Sequence, residues 1–303
     1  MMSIAIESRG GEATQHKSGR FTGPWRRPYT LRAVTIGYLL WSLLPVLIAV
    51  IFSFNEGRSR IFWQGFSLRW WTQDPTDSLL HDPAMLQAMK QTYLLAGLTV
   101  LIVVPLGTLF AIGIDRWHGR ISRTANFTML LTFVVPEIIL GVSLYILFTN
   151  LLRGLVPLGT PAQLLGLATF QLSYPVVIVR ARLLGIGPEY EEAAMDLGAT
   201  PGQSIRRILL PLLAPSIMAS VALVFADVVD DFVTVAALSS EASSETLAQK
   251  IYAASRASPT PEVNAAATMM LVTTVLVVVV GLLFYRRISR GQGGGTTSDF
   301  ANL

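Results

Sequence analysis

Apolar residues dominate six separate stretches of this chain, and polar residues fill the segments between them. A hydrocarbon core about 30 Å thick requires roughly 20 consecutive apolar residues in a helix. Stretches of about this kind occur at 34–54, 94–114, 127–148, 164–179, 212–238 and 265–285. The fourth is short and the fifth is long. This pattern predicts an all-α, polytopic membrane protein with six transmembrane helices.

The positive charges predict how these helices are oriented. Of the 23 Lys and Arg residues, 16 fall in segments that share one side with both termini. Cytoplasmic segments carry the excess of Lys and Arg, so we expect both termini, and the loop at 187–211, in the cytoplasm. The net charge of +4 then reflects membrane topology and not nucleic-acid binding.

Three regions follow from this pattern. Residues 1–30 are basic, contain many Gly, Ser and Thr, and lack an apolar period, which predicts a disordered cytoplasmic extension. Residues 31–287 form the transmembrane domain, and the Gly-rich residues 288–303 form a flexible cytoplasmic tail.

Several functional classes are excluded or disfavoured. The chain has no cysteine, and its histidines, His16, His81 and His118, lie in three different polar segments, so neither a thiolate site nor a His-based metal site is expected. No Gly-x-x-x-x-Gly-Lys-Ser/Thr phosphate loop occurs. We therefore expect a chain that binds no cofactor and is not an enzyme.

The loop at 187–211 has the sequence of two short helices. In the first, an apolar stripe recurs at helical spacing and consists of Tyr190, Ala193, Ala194 and Leu197. Gly198 is suited to the left-handed residue that ends a helix. Thr200 and Gln203 then have the spacing of a capping box, and Pro211 is expected to close the second helix before the next span. An ordinary amphipathic interfacial pair is the alternative.

Acidic residues within the apolar stretches are candidates for a translocation path. Glu137 follows Pro136, about 15 Å into the third stretch, and intramembrane acids typically face a cavity or a partner. Asp227, Asp230 and Asp231 lie in the fifth stretch, where three acids would attract cations.

Two aromatic residues, Phe232 and Tyr174, complete this candidate path, and Phe232 offers a cation–π contact. Alternatives stay open at this point. Glu137 could cap a kink at Pro136, and the three aspartates would lie in an outer loop if the fifth span ended near Ala226.

An aromatic cluster follows the first stretch and consists of Phe62, Trp63, Phe66, Trp70 and Trp71. Such residues favour the interface between headgroups and hydrocarbon. This outer segment is expected to lie along the membrane surface, with docking of a partner as the alternative.

The loop carries a motif that resembles one family. Glu192, Ala193 and Ala194 are followed after three residues by Gly198, and after nine more by Ile208-x-Leu210-Pro211. This spacing resembles the coupling loop of binding-protein-dependent ABC importer permeases of the type I fold. The resemblance implies that the loop docks into a cleft of a separate ATPase subunit. The implied coupling residues are Tyr190, Glu192, Ala193, Ala194, Leu197 and Gly198.

Four further runs resemble the spermidine/putrescine branch of that family, and its C-type subunit in particular. They are Phe66–Trp71, Pro136-Glu137, Asp230–Val233 and Pro261–Ala265. The resemblance implies a permease of the bacterial cytoplasmic membrane that pairs with a second homologous permease, a nucleotide-binding ATPase dimer and an external polyamine-binding protein. ATP and Mg²⁺ would be bound by the ATPase subunits.

Other substrates and another mechanism stay open. Related permeases carry aminophosphonates, opines or other small solutes. An ion-gradient-driven secondary transporter would use Glu137 and the aspartates as a proton or sodium relay, but would leave the loop motif unexplained. A membrane scaffold without transport would leave the intramembrane acids unexplained.

Overall fold

The computed structural model describes residues 29–59, 61–117, 119–257 and 261–291, and helices dominate these ranges. The chain divides into two compact units, the first ending at Leu47 and the second beginning at Ile48. Helix α1, Tyr29–Phe52, contains this boundary. The predicted extension, 1–30, lies outside the described residues except for its last two, which belong to α1.

The second unit contains eleven further helices within the described ranges. They are α2 (Pro83–Arg116), α3 (Arg120–Val134), α4 (Glu137–Ile146), α5 (Thr160–Gln171), α6 (Ser173–Ile186), α7 (Glu189–Asp196), α8 (Pro201–Ser204), α9 (Leu210–Asp230), α10 (Val233–Leu238), α11 (Leu247–Ala257) and α12 (Pro261–Gly291). The predicted tail, 288–303, is described only to Gly291, at the end of α12.

The number of spans agrees with the hydrophobic pattern. Among the described residues, five helical segments are long and apolar enough to cross a membrane: Tyr29–Phe52, Pro83–Arg116, Thr160–Ile186, Pro201–Asp230 and Pro261–Arg287. A bent pair of helices, Ser122–Val134 and Glu137–Leu151, supplies the sixth if it is counted as one span. The prediction of an all-α membrane protein with six spans is confirmed.

Helix α2 is the centre of the second unit. Asp82 caps its first turn by accepting a hydrogen bond from the Ala84 backbone N–H at 2.8 Å, and Pro83 occupies the first position. α2 packs against α5, α6, α9 and α11. Small buried residues such as Ala96 and Ala111 let these helices approach closely, which is how helices pack in membranes.

α2 approaches α6 closely at Gly107. A Cβ added there would lie 2.4 Å from Pro175 Cγ in α6, and the proline ring cannot rotate away. We predict that Gly107→Ala destabilises the protein by about 1–3 kcal/mol, the usual cost of overpacking. Thermal unfolding in detergent would measure this. Gly97→Ala in the same helix is the matched control, because its Cβ would meet nothing within 4 Å; equal behaviour of the two variants would contradict the prediction.

The third span is broken at Pro136. Its two halves are bent by 106° at a break of a few residues. Val135, which precedes the proline, is extended at φ −71° and ψ 124°, as expected for a residue before proline. The kink considered for Pro136 is present, and it places Glu137 in the first turn of α4.

The fifth span ends earlier than the hydrophobic pattern predicts. The apolar stretch runs to 238, but α9 ends at Asp230 and a separate short helix, α10, begins at Val233. The Asp231 carboxylate accepts hydrogen bonds from the backbone N–H groups of Thr234 at 3.0 Å and Val235 at 3.4 Å. It therefore supplies the partners that the first turn of α10 needs, and α10 packs on α4 and α5.

The segment between α1 and α2 is only partly a surface belt. Phe62 and Phe66 are exposed, but Trp70 is buried and its indole N–H donates to the Asn55 carbonyl at 2.8 Å. The prediction of an interfacial residue is wrong for Trp70, because its polar edge finds a partner within the fold.

Nearby, the backbone N–H groups of Asp77 and Thr76, together with the Arg69 side chain, hold the pKa of Asp74 well below its usual range.

Candidate functional site

The first candidate site is the helix α7 at the start of the 187–211 loop. Tyr190, Ala193 and Leu197 are exposed on it, and Leu197 has 90% of its surface accessible. Glu192 is exposed beside them. Ala194 was expected in the same stripe, but it is buried. Ala194 and Glu191 lie on the buried side of α7. The apolar stripe that is accessible to a partner is therefore narrower than predicted.

The connection after α7 forms as the sequence predicts. Gly198 adopts φ +89°, in the left-handed region, and its N–H donates to the Met195 carbonyl at 2.9 Å. Thr200 and Gln203 form a reciprocal capping box, with N–H to side-chain distances of 3.1 and 3.4 Å. Both local predictions for this turn are confirmed.

The second short helix does not end at Pro211. Pro201 to Asp230 is one continuous helical segment, and a π-turn at Ile205–Leu209 joins α8 to α9. The Leu210 N–H bonds the Ile205 carbonyl, five residues back. Such a widened turn accommodates a proline, which lacks an N–H and crowds the preceding turn. The prediction that Pro211 closes the helix is wrong, and the loop instead continues directly into the fifth span.

One residue of this site, Arg116, was not anticipated. It is the last residue of α2, and its guanidinium donates to Glu191 Oε2 at 2.8 Å, to Asp115 Oδ2 at 2.7 Å and to the Gly187 carbonyl at 3.1 Å. Glu191 lies in the first turn of α7. No sequence spacing signals this pair, because its members are separated by 75 residues.

The second candidate site is an acidic cluster, which we define as Glu137, Asp227 and Asp231 around Tyr174. These residues come from the start of α4, from α9, from the break after α9 and from α6. The three carboxylates lie within electrostatic range of Tyr174, and Glu137 and Asp231 both bond to Thr234. The breaks at Pro136 and Asp231 bring these acids together.

Neutral donors hold the acids of the cluster. The Gln171 side-chain amide donates to Asp227 Oδ2 at 2.6 Å, and the Thr234 hydroxyl donates to Glu137 Oε1 at 3.3 Å. Gln171 is fully buried, and its Oε1 atom has no hydrogen-bond partner. Within the described ranges no Lys or Arg is ion-paired with any of these acids. The cluster therefore offers several acceptors and negative charge without a cationic partner.

Aromatic rings border the cluster on one side. Phe133 and Phe170 meet the Tyr174 ring edge to face, with centroids 5.4 and 5.9 Å away. The face of such a ring can attract an ammonium group. Among the described residues, no group of three or more metal-ligating side chains is placed to hold a metal ion.

Two predicted path residues flank Asp231 but make contacts other than those that define the cluster. Phe232 stacks on Tyr252 of α11 with centroids 4.3 Å apart, and Arg256 lies over the same tyrosine. Asp230 is exposed at the end of α9, where Asp227 is its electrostatic neighbour. A single helical face does not carry all three aspartates, because the helix ends before Asp231.

The chain matches the profile of one protein family over residues 103–293, described as "Binding-protein-dependent transport system inner membrane component". It is 34% identical to the putrescine transport system permease protein PotI of Escherichia coli K12 over 253 residues, which cover 81% of this chain and 85% of the relative. It is 33% identical to the spermidine/putrescine transport system permease protein PotC of the same strain, covering 74% of this chain and 82% of the relative.

Solved structures share the fold. A chain of a bacterial ABC transporter that imports the acidic polysaccharide alginate superposes with a TM-score of 0.69 at 19% identity, covering 86% of this chain and 96% of the other. A chain of the MetNI methionine ABC transporter in an inward-facing conformation gives 0.53 at 19% identity, covering 67% and 93%.

Proposed function

The chain belongs to the family of binding-protein-dependent transport system inner membrane components, and from this premise we propose that it imports polyamines as one permease of an ATP-driven transporter. It is a multi-pass inner membrane protein and an ABC importer permease of the PotC/PotI type. The substrate, the coupling to an ATPase and the orientation of the termini are the parts that we propose.

The acidic cluster is the observation that carries the polyamine proposal. Asp231 is buried, and neither it, Glu137 nor Asp227 has a Lys or Arg partner within the described ranges. Carboxylates in an apolar surrounding are costly unless a cation or a proton balances them. A di- or trivalent amine replaces its water with such carboxylates, and the rings around Tyr174 support its charged and methylene groups. The names of the two curated relatives agree with this substrate class.

The exposed stripe of α7 is the proposed contact with the ATPase. Tyr190, Ala193 and Leu197 present apolar surface on a polar loop, as an anchor for a cleft in a soluble partner would. Glu192 and the Gly198 turn complete the contact, while Ala194 supports it from the buried side. In this proposal the loop and both termini are cytoplasmic, and the ATPase dimer binds ATP and Mg²⁺.

The remaining partners follow from the same proposal. This permease forms half of the translocation path, and a second homologous permease forms the other half. An external binding protein delivers the amine to the side opposite the loop. Phe232 and Asp230, which flank Asp231, are proposed to contact substrate on its way to the cluster.

Reconstitution tests the proposed function. The permease would be placed in liposomes with a candidate second permease, ATPase and binding protein, and uptake of labelled putrescine and spermidine would be measured. We expect uptake that requires ATP hydrolysis and the binding protein. ATP-driven uptake of an aminophosphonate or opine, with no uptake of amines, would refute the substrate. Uptake driven by a proton or sodium gradient without the ATPase would refute the mechanism.

A further inference from the structure

The ion pair between Arg116 and Glu191 links two elements that otherwise have little contact. α7 packs mainly against α8 and the following π-turn, which belong to its own loop. Arg116, at the end of α2, holds α7 from the other side through Glu191 and holds the start of the loop through the Gly187 carbonyl. This contact therefore ties the loop to a second transmembrane helix.

The pair is partly shielded from solvent. The side chains of Arg116, Glu191 and Asp115 are 26%, 12% and 9% exposed. Partly buried charged hydrogen bonds are stronger than exposed pairs, and loss of Arg116 would remove the cationic partner of both Glu191 and Asp115. Arg116 also has the planar fork that meets two acceptors at once, which a lysine lacks.

A cavity of about 650 Å³ borders the pair. Leu183, Pro188 and Met195 are among its lining residues, together with both members of the pair. Because this space is not filled by side chains, packing does little to fix α7 against the end of α2. The ion pair must then provide most of the lateral connection.

We propose that Arg116 is a positioning residue whose ion pair with Glu191 fixes α7 to α2, so that movement of α7 reaches two transmembrane helices together. This inference rests on the proposed ATPase contact of α7. One route runs from α7 through the Gly198 turn into the continuous helix that ends at Asp230. The second runs through Arg116 into α2, which packs on α5, α6 and α9. If the second route is lost, the ATPase stays bound to α7, but its movement is no longer transmitted to α2.

Uptake per ATP hydrolysed, measured in proteoliposomes of the complete transporter, tests this inference. Arg116→Gln and Glu191→Gln are each expected to lower this ratio about tenfold, on the scale of losing a charged hydrogen bond, while the ATPase still co-purifies. Arg116→Lys is expected to lie between these variants and the parent. Arg182→Gln is the matched control, because Arg182 is exposed and makes no ion pair within the described part of the chain.

The double variant, Arg116→Gln with Glu191→Gln, closes a double-mutant cycle with the two single variants. We expect its ratio to exceed the product of the two single effects, as it must for residues that act through each other. Independent effects in the cycle, or a ratio that none of the variants changes, would overturn the inference. If a glutamine variant fails to assemble, Arg116→Lys carries the same comparison with the parent and with Arg182→Gln.

The Leu197→Asp variant shows whether a negative result belongs to the positioning role of Arg116 or to the proposed ATPase contact. If it leaves ATPase binding and uptake intact, the ATPase contact of α7 is wrong. If it abolishes both while the Arg116 and Glu191 variants behave like the parent, only the positioning role fails.

Discussion

Leu197→Asp is expected to abolish ATP-driven uptake and to release the ATPase from the membrane complex. Leu197 is the most exposed large apolar side chain of α7, at 90%, and a charge there would be buried in the proposed cleft. Apolar anchors at the centre of an interface typically contribute about 2 kcal/mol or more, so the ATPase should bind at least about 30-fold more weakly. Co-purification and equilibrium binding of the ATPase measure this.

Two further variants are expected to weaken ATPase binding less than Leu197→Asp does. Leu197→Met keeps the apolar surface and is expected to bind the ATPase within about threefold of the parent. Gly198→Ala should have an intermediate effect: its added methyl meets nothing within 4 Å, but φ +89° is strained for alanine by about 1–2 kcal/mol. Normal ATPase binding by Leu197→Asp would remove α7 from the coupling site.

Neutralising the acidic cluster is expected to reduce amine uptake about tenfold or more, while assembly and ATPase binding persist. Asp227→Asn is the sharpest variant, since the new amide oxygen can still accept the hydrogen bond from Gln171 and only the charge is lost. Removing one charged hydrogen bond to an ammonium group costs about 1.5–3 kcal/mol. Initial uptake rates of labelled spermidine and putrescine, at several concentrations, measure the loss.

The structure also predicts how the four single carboxylate substitutions rank in their loss of amine uptake. Glu137→Gln and Asp231→Asn are expected to resemble Asp227→Asn, because these acids share the surroundings of Tyr174. Asp230→Asn should have a smaller effect, because Asp230 is exposed outside the cluster. Unchanged uptake in Asp227→Asn and Glu137→Gln, with normal amounts of assembled transporter, would assign these acids to structure alone.

Local chemistry explains which parts of the fold are predictable from the sequence. The turn at Gly198 and the capping box at Thr200 depend on residues within a few positions of each other, so their sequence signals are complete. The kink at Pro136 likewise follows from the proline and the residue before it. The apolar stretches are long enough to specify six spans without knowledge of their packing.

Two local features, and two that depend on distant partners, were not predicted. Hydrophobicity continues past Asp230, and α9 ends there because the Asp231 carboxylate bonds the first turn of α10. Pro211 has the appearance of a helix terminator, but a π-turn accommodates it. Arg116 and Glu191 are far apart in sequence, and the cluster around Tyr174 joins four elements whose proximity depends on two breaks in the spans.

Cross-linking from a single cysteine at Leu197 tests most directly whether α7 contacts an ATPase. The chain contains no cysteine, so Leu197→Cys can carry a photoreactive maleimide at one defined position, and Arg123→Cys, exposed on α3, is the control. The proposed function predicts a cross-link to the ATPase subunit from position 197, altered by ATP and amine-loaded binding protein, and little from position 123. A complete, transporting complex in which position 197 never cross-links to the ATPase would contradict it.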